Sequence, residues 1–287
     1  MSCRNNRKRE GVVGAILAFP DGILTLCCFA VPLVVIVLYS FWKIDLTTFT
    51  VTTDWNLGNY GDIFKSIYLQ ALLRSILITL ATVVGCLLLG LPIAYFIASF
   101  KGKLQLLMIG AIVIPFWTSF VVRTYAWLEL LGAHGVITQA LVHMHLVADG
   151  TDLRYSTTAV IIGMVYSYLP MMILPVYSTF EQLDQSLLEA AADLGKTPSQ
   201  AFFQIVMPSC GGGIVAGSLL VAIPALGEYT IPAILGGSKT LMIGNVIASE
   251  FQTTGNYPRG AALSSVLMVA VLLIIIGKQI MQWRKVR

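Results

Sequence analysis

Long stretches with almost no charged residue recur along this sequence. Each is close to the roughly 20 residues that an α-helix needs to cross about 30 Å of hydrocarbon. Of the 287 residues, 57% are hydrophobic and only 11% are charged, and the mean hydropathy is +0.82. A soluble domain needs more charge than this on its surface. Because lipid offers the backbone no hydrogen-bonding partner, the sequence predicts an all-α integral membrane protein.

We predict six transmembrane helices within a single transmembrane domain, residues 1–287. The predicted spans are residues 12–42, 71–100, 104–131, 155–180, 211–235 and 261–281. The first span is interrupted only by Pro20-Asp21. Residues 181–210, which join the fourth span to the fifth, form a polar loop. An even number of spans places both ends of the chain on one side of the membrane.

Lys and Arg are distributed unevenly between the two sides of this predicted membrane domain. The side that holds the termini and residues 181–210 carries most of the basic residues: Arg4, Arg7, Lys8, Arg9, Lys101, Lys103, Lys196, Lys278, Arg284, Lys285 and Arg287. Cytoplasmic loops retain the excess positive charge, so both termini and the polar loop are expected in the cytoplasm. The net charge of +4 follows from this bias and indicates no nucleic-acid partner.

Motifs for nucleotides, metals and catalysis fail when their spacing is checked. Gly195-Lys196-Thr197 resembles the end of a phosphate-binding loop, but Ala190 stands where that motif requires glycine. His143 and His145 lack the further ligands of a zinc site, so no metal site is predicted. No hydrolase or metalloprotease pattern is present in the sequence. We therefore expect a chain that is not an enzyme and binds no cofactor.

The polar loop carries the signals of two short helices. Ser186 and Glu189 form a capping box that starts the first helix, and Gly195 can end it in a left-handed conformation. Thr197 can cap the second helix, with Gln200 completing another capping box. The loop is thus expected to be a folded helix-turn-helix.

The charge of this loop favours a protein partner over the membrane surface. Helices that lie on a membrane usually have a basic polar face. This loop instead has four acidic residues and one basic residue: Glu181, Asp184, Glu189 and Asp193, with Lys196. Pro208 discourages the second helix from continuing, so the loop forms a closed unit. We predict that it docks to another protein.

Six loop residues resemble the EAA motif of permease subunits of binding-protein-dependent ABC importers. That motif reads Glu-Ala-Ala, three residues, Gly, nine residues, Ile, one residue, Leu, Pro. The matching residues are Glu189, Ala190, Ala191, Gly195, Ile205 and Pro208, with Met207 where the family usually has leucine. The resemblance implies the type I permease fold of ABC importers. It also implies that the loop contains a coupling helix received by a separate cytoplasmic ATPase.

Three further segments look like the spermidine/putrescine branch of these permeases: "PFWTSFVVRTYAW" from Pro115, "GMVYSYLPMMILPVYS" from Gly163 and "PALGEYTIPAILGG" from Pro224. The resemblance implies a multi-pass subunit in a prokaryotic cytoplasmic (inner) membrane that moves polyamines. Its implied partners are a second permease, two ATPases that hold ATP-Mg, and an extracytoplasmic binding protein. A permease for another small organic solute is the first alternative. An ion-gradient-driven secondary transporter is another, although the inverted repeats typical of such proteins are not seen.

Glu228 is the clearest ionisable residue inside a predicted span, with Tyr229 beside it. Charges at this depth are costly and usually face a cavity or a partner. A carboxylate and aromatic faces suit an alkylammonium group, which favours a substrate site. An ion pair between Glu228 and Arg123 explains the acid equally well, and the sequence leaves both interpretations open.

Four other residues are candidates for the substrate path: Trp117, Arg123, Tyr125 and Glu129. Snorkelling to the membrane interface explains Arg123 and Glu129 as well, and an interfacial aromatic belt explains Tyr125. Within the fifth span, glycines predict close helix packing, and Pro224 and Pro232 predict local breaks. The predicted glycine contacts involve Gly211, Gly212, Gly213 and Gly217.

Overall fold

The fold is helical throughout, apart from one small hairpin. The computed structural model describes residues 3–45, 48, 50–183, 186–187, 191, 193–237 and 240–286, with side chains described from residue 22 to 277 apart from residues 198 and 199. The helices are α1 Cys3–Ser40, α2 Gly58–Asp62, α3 Ser66–Ala98, α4 Lys103–Val113, α5 Phe120–Leu130, α6 Val136–His143, α7 Thr157–Glu181, α8 Pro198–Ala201, α9 Met207–Ser209, α10 Gly211–Leu226, α11 Ile243–Gln252 and α12 Tyr257–Val286. A 3₁₀-helix at Ile114–Trp117 and π-helices at Phe202–Val206 and Pro232–Gly236 lie between them.

Four of these helices contain a stretch that is long and apolar enough to cross a membrane: Gly22–Ser40, Ser66–Ala98, Thr157–Glu181 and Tyr257–Gly277. Two further pairs pass only together, Lys103–Trp117 with Phe120–Leu130, bent by 95°, and Phe202–Ser209 with Gly211–Leu226, bent by 60°. Within the described ranges the protein thus has four such helices, or six if each bent pair is one span. The prediction of a helical membrane protein is confirmed.

The breaks differ from those that the sequence predicted. Helix α1 runs through Pro20-Asp21, where the apolar sequence of the first predicted span is interrupted, as one continuous helix. The third predicted span is not continuous, since the backbone becomes extended at Thr118, whose ψ is 156°. There the Pro115 carbonyl accepts both the Thr118 backbone N–H at 3.4 Å and the Thr118 hydroxyl at 2.7 Å.

The chain divides into two compact units, and we describe each by itself. The first comprises residues 1–65 and 247–287. In it α1 packs along α12, and the strands Lys43–Asp45 and Thr50–Thr52 pair antiparallel, with Ile44 opposite Val51. Arg259 lies between two acids, with its Nη2 atom 3.2 Å from Asp62 and its Nη1 atom 3.8 Å from Glu250.

The second unit, residues 66–246, is built around α7, which packs against both α3 and α10. One face of α7 is buried at every fourth residue, namely Met164, Tyr168, Met172, Val176 and Phe180. Two of the predicted glycine contacts are confirmed. A Cβ atom on Gly213 would lie 2.8 Å from the Pro175 carbonyl, and one on Gly217 would lie 2.9 Å from the Met172 sulfur. In a membrane, such close approach is a main source of helix association.

The other two glycines do not take part in this packing. A Cβ atom on Gly211 or Gly212 would meet nothing within 4 Å. The packing motif of the fifth span therefore consists of Gly213 and Gly217, which lie four residues apart and so share one helix face.

Candidate functional site

The fifth span is broken next to Glu228, the acid that the sequence marks inside the membrane. Helix α10 passes through Pro224 and ends at Leu226, so the break lies beyond the proline where it was predicted. After Gly227 the Glu228 carboxylate accepts the backbone N–H groups of Thr230 at 2.8 Å and Ile231 at 3.3 Å. Glu228 therefore caps the start of the next helical turn, as an acidic residue does at helix N-termini.

The other oxygen of this carboxylate bonds to the fourth span. The Tyr168 hydroxyl, on the buried face of α7, donates to Glu228 Oε2 at 2.6 Å. All three of these donors are neutral. Among the described residues no Lys, Arg or His forms an ion pair with Glu228. The Glu228 carboxylate thus accepts three hydrogen bonds, but no cation among the described residues pairs with its charge.

Residues 242–245, at the start of α11, contact the backbone of this break and hold it in place. The Asn245 side-chain amide donates to the Tyr229 carbonyl at 2.8 Å, and its oxygen accepts the Met242 N–H at 3.2 Å. Gly244 lies so close that a Cβ atom there would be 2.5 Å from the Gly227 carbonyl oxygen. Only glycine fits at this position without a shift of the backbone.

The predicted pair of Glu228 and Arg123 does not form. The Arg123 guanidinium carbon lies over the Phe116 ring, 4.3 Å from its centroid, and 5.9 Å from that of Phe120. Its Nε and Nη1 atoms are buried without a hydrogen-bond partner. A cation held on aromatic faces is consistent with this position.

The remaining path candidates are spread along the bent third region. Trp117 is 85% exposed, and Tyr125 and Glu129 are exposed as well, as is Tyr229 near the break.

The residue that the structure places against Glu228 is Tyr168, which the sequence did not lead us to predict. The signal was present, because a tyrosine in the middle of an apolar helix needs a partner for its hydroxyl.

Two of the helix ends predicted for the polar loop are seen, at Gly195 and Thr197, whereas Glu189 of the first capping box lies outside the described residues. Gly195 has φ +76°, and the Lys196 N–H donates to the Ala191 carbonyl at 3.0 Å, which closes the first helix. The reciprocal capping box is also present: the Gln200 side chain accepts the Thr197 N–H at 3.1 Å, and the Gln200 N–H approaches the Thr197 hydroxyl at 3.4 Å.

The predicted coupling residues have different environments. Glu189 and Ala190 lie outside the described residues. Ala191 is only 2% exposed, Ile205 is half-buried and Pro208 is exposed. Ala191 is thus buried and not available at the surface.

The second helix of the loop ends one residue after Pro208, at Ser209, and the chain bends by 60° before α10 begins. A π-turn precedes the proline. In that turn the Met207 N–H donates to the carbonyl of Phe202, five residues back. This wider turn accommodates Pro208, which has no backbone N–H to donate.

Comparison with known proteins identifies the family. A family model described as the binding-protein-dependent transport system inner membrane component matches residues 90–283. The chain belongs to this family. It is 40% identical over 219 residues to the spermidine/putrescine transport system permease protein PotB of Haemophilus influenzae, covering 76% of this chain and 77% of that protein. It is 36% identical over 256 residues to PotB of Escherichia coli, covering 89% of this chain and 91% of that protein.

Solved structures show the same fold. The chain resembles a bacterial ABC transporter for import of the polysaccharide alginate, with a TM-score of 0.64 and 19% identity over 97% of this chain and 98% of that one. It also resembles an alginate transporter in complex with its periplasmic protein, with a TM-score of 0.67 and 17% identity over 99% and 98% of the chains. The protein is thus a multi-pass inner-membrane permease subunit of the ABC importer type, and not an enzyme.

Proposed function

We propose that this chain is one of two permease subunits of an ATP-driven importer of polyamines such as spermidine and putrescine. The family and the curated PotB relatives support the transport role. The observation that carries the substrate class is Glu228, a carboxylate at a helix break for which the described residues provide no cation. An alkylammonium group supplies the missing charge, and the neighbouring Tyr229 supplies an aromatic face.

In this proposal each bent pair counts as one span, which gives six spans with both termini in the cytoplasm. The distribution of Lys and Arg supports that orientation. A fluorescent protein that matures only in the cytoplasm, fused to the C-terminus, is expected to fluoresce. A reporter active only outside the cytoplasm is expected to be inactive at the same position, and the reverse pattern would contradict the orientation.

The polar loop is proposed to couple the permease to two cytoplasmic ATPases, each with ATP-Mg. Glu189, Ala190 and Gly195 stand in the EAA pattern of such permeases. Leu187 is 45% exposed and Leu194 is 80% exposed, which gives the loop apolar side chains for a groove on the partner. The other motif residues are proposed to stabilise the fold of the loop: Ala191, Ile205 and Pro208.

Replacing Gly195 tests this coupling role. Gly195→Val forces a β-branched residue into a left-handed conformation and should distort the loop. Uptake is expected to fall at least tenfold. Gly211→Ala is the matched control, because that position has open space around it. Normal uptake by the Gly195→Val transporter would contradict a coupling role for the loop.

The overall function is tested by reconstitution. The chain, its partner permease, the ATPases and the binding protein are placed in proteoliposomes with labelled spermidine. Uptake is expected only with ATP-Mg and with the binding protein, and the purified binding protein should bind spermidine or putrescine. A binding protein that binds neither amine would refute the polyamine assignment and favour another organic solute. Uptake without ATP that collapses with an ion gradient would instead identify a secondary transporter.

A further inference from the structure

The two ends of the polar loop meet the same aromatic residue of α3. The chain enters the loop from the last turn of α7, where Phe180 lies, and leaves it through the π-turn that begins at Phe202. The ring centroid of Tyr95 is 5.6 Å from that of Phe180 and 5.1 Å from that of Phe202. The interplanar angles of 78° and 77° make both contacts edge-to-face, which is a favoured arrangement of aromatic pairs.

A second contact fixes the entering end to α4. The Gln105 side-chain amide donates to the Tyr177 hydroxyl at 2.8 Å and approaches Glu181 Oε1 at 3.4 Å. The last turn of α7 is therefore held from α3 and from α4. The leaving end, by contrast, contacts α3 through the ring of Tyr95. The ring of Tyr95 thus contacts both ends of the loop.

The aromatic contacts lie at the edge of the packed core. Phe180 is buried in that core, and Phe202 packs against it. A cavity of about 550 Å³ lies on the other side, with Lys101, Gln105, Glu181 and Val206 in its wall. Tyr95, which is 39% exposed, therefore has open space on one side and core residues on the other.

We propose that Tyr95 is a positioning residue that holds the two ends of the coupling loop together, so that a push on the loop moves α3 and α7 as one body. This inference rests on the proposed coupling function of the loop. Without the ring, Phe180 and Phe202 lose their shared contact with α3, and a push on the loop reaches the packed spans less directly. Tyr95 acts through these rings and has no contact with substrate or nucleotide in this proposal.

The test compares three variants of the complete transporter in proteoliposomes. Tyr95→Leu removes the ring, and Tyr95→Phe keeps both ring contacts. Phe96→Leu is the matched control, because Phe96 is the next residue on α3 and packs edge-to-face on Phe100, not on the loop. Three quantities are measured: assembly with the ATPases by size-exclusion chromatography, stimulation of ATP hydrolysis by loaded binding protein, and solute imported per ATP hydrolysed.

We expect Tyr95→Leu to assemble normally, to lose stimulation by the binding protein at least fivefold, and to import correspondingly less solute per ATP. Tyr95→Phe and Phe96→Leu should stay within twofold of the wild type. Normal import per ATP in Tyr95→Leu would overturn the proposal. So would loss of assembly in that variant, because Tyr95 would then be needed for folding. An equal loss in Phe96→Leu would overturn it as well.

A double-variant measurement adds an independent readout. If the three rings act as one unit, adding Phe202→Leu to Tyr95→Leu should reduce import per ATP little further, whereas additive losses would overturn the proposal. The measured quantity is the amount of solute imported per ATP hydrolysed, and it can be determined for whichever solute the transporter carries. A transporter that imports another solute therefore refutes the polyamine assignment but leaves this test decisive.

Discussion

Glu228 and Glu250 are two acids of the same chain with opposite electrostatic surroundings. Glu250, on α11, is only 6% exposed, and Arg259 lies 3.8 Å from its carboxylate, with Thr254 donating to it at 2.8 Å. Glu228, at the break after α10, is bonded by Tyr168 and two backbone N–H groups. One acid has a cation beside it, and within the described part of the chain the other has neutral donors alone.

The difference separates a structural charge from an available one. A buried carboxylate is costly, and an adjacent cation offsets that cost permanently. Neutral donors hold a carboxylate in place but leave its charge uncompensated. The acid near Arg259 has its partner within its own unit, whereas the proposed function assigns the partner of Glu228 to the substrate.

The strongest test of this comparison replaces each acid by glutamine. Glu228→Gln retains an oxygen for the Thr230 and Ile231 N–H groups but removes the charge. Since hydrogen bonds to a charged group contribute about 1.5–3 kcal/mol, uptake of spermidine should fall roughly 10- to 100-fold. Glu250→Gln should lower the apparent melting temperature while leaving uptake per folded transporter unchanged. Equal loss of uptake in both variants would remove the distinction.

A second prediction concerns the backbone that shapes the Glu228 break. In Gly244→Ala the new Cβ atom would lie 2.5 Å from the Gly227 carbonyl oxygen and 2.7 Å from that of Glu228. Such crowding costs about 1–3 kcal/mol of unfolding free energy. A thermal melt of the purified transporter measures it. Gly212→Ala, in open space on α10, is the control and should be neutral or stabilising by up to about 1 kcal/mol.

A third prediction isolates the hydroxyl that bonds to Glu228. Tyr168→Phe removes the 2.6 Å hydrogen bond and keeps the ring. Because the two backbone donors remain, uptake should fall by less than in Glu228→Gln, about three- to tenfold. Tyr166→Phe is the matched control, since Tyr166 stacks on Phe116 at 5.9 Å and does not bond to Glu228. A larger loss in Tyr168→Phe than in Glu228→Gln would show that the hydroxyl, and not the charge, matters.

The smallest expected effect is a pH dependence of stability that arises from Asp62, which pairs with Lys65 and Arg259. The hydrogen bond from Lys65 holds the pKa of Asp62 below its usual value of 3.8, with burial opposing and Arg259 adding to the effect. The folded pKa is lower than the unfolded one, so the stabilisation is present above about pH 4 and is lost as the pH falls through the folded pKa. Exposed pairs contribute about 0.2–1 kcal/mol.

Asp62→Asn measures this contribution. At pH 6 the variant should melt slightly below the wild type, and at pH 3 the difference should shrink. A difference that grows toward pH 3 would have the wrong sign for a paired carboxylate.

Sequence reasoning succeeded where the cause is local. The left-handed Gly195 and the reciprocal bonds of Thr197 and Gln200 depend on neighbours within a few residues. The bond between Tyr168 and Glu228 joins residues 60 positions apart, and no local rule finds it.

The helix breaks were predicted only in part. Proline marks where a hydrogen bond is missing, but surrounding contacts decide whether the helix bends there. Helix α10 therefore passes Pro224 and ends at Leu226, four residues before Thr230, whose N–H bonds to the carboxylate of Glu228. The third region bends at Thr118, whose hydroxyl adds a hydrogen bond to the Pro115 carbonyl.

The π-turn at Phe202–Val206 has a geometric consequence of its own. A π-turn holds one more residue than the α-helical turn it replaces, and one residue of α-helix corresponds to about 100° of rotation. The helical residues before Phe202 are thus rotated about the helix axis relative to Met207–Ser209, which follow the π-turn. The π-turn therefore acts as an angular offset between the polar loop and the segment that leads into the fifth span.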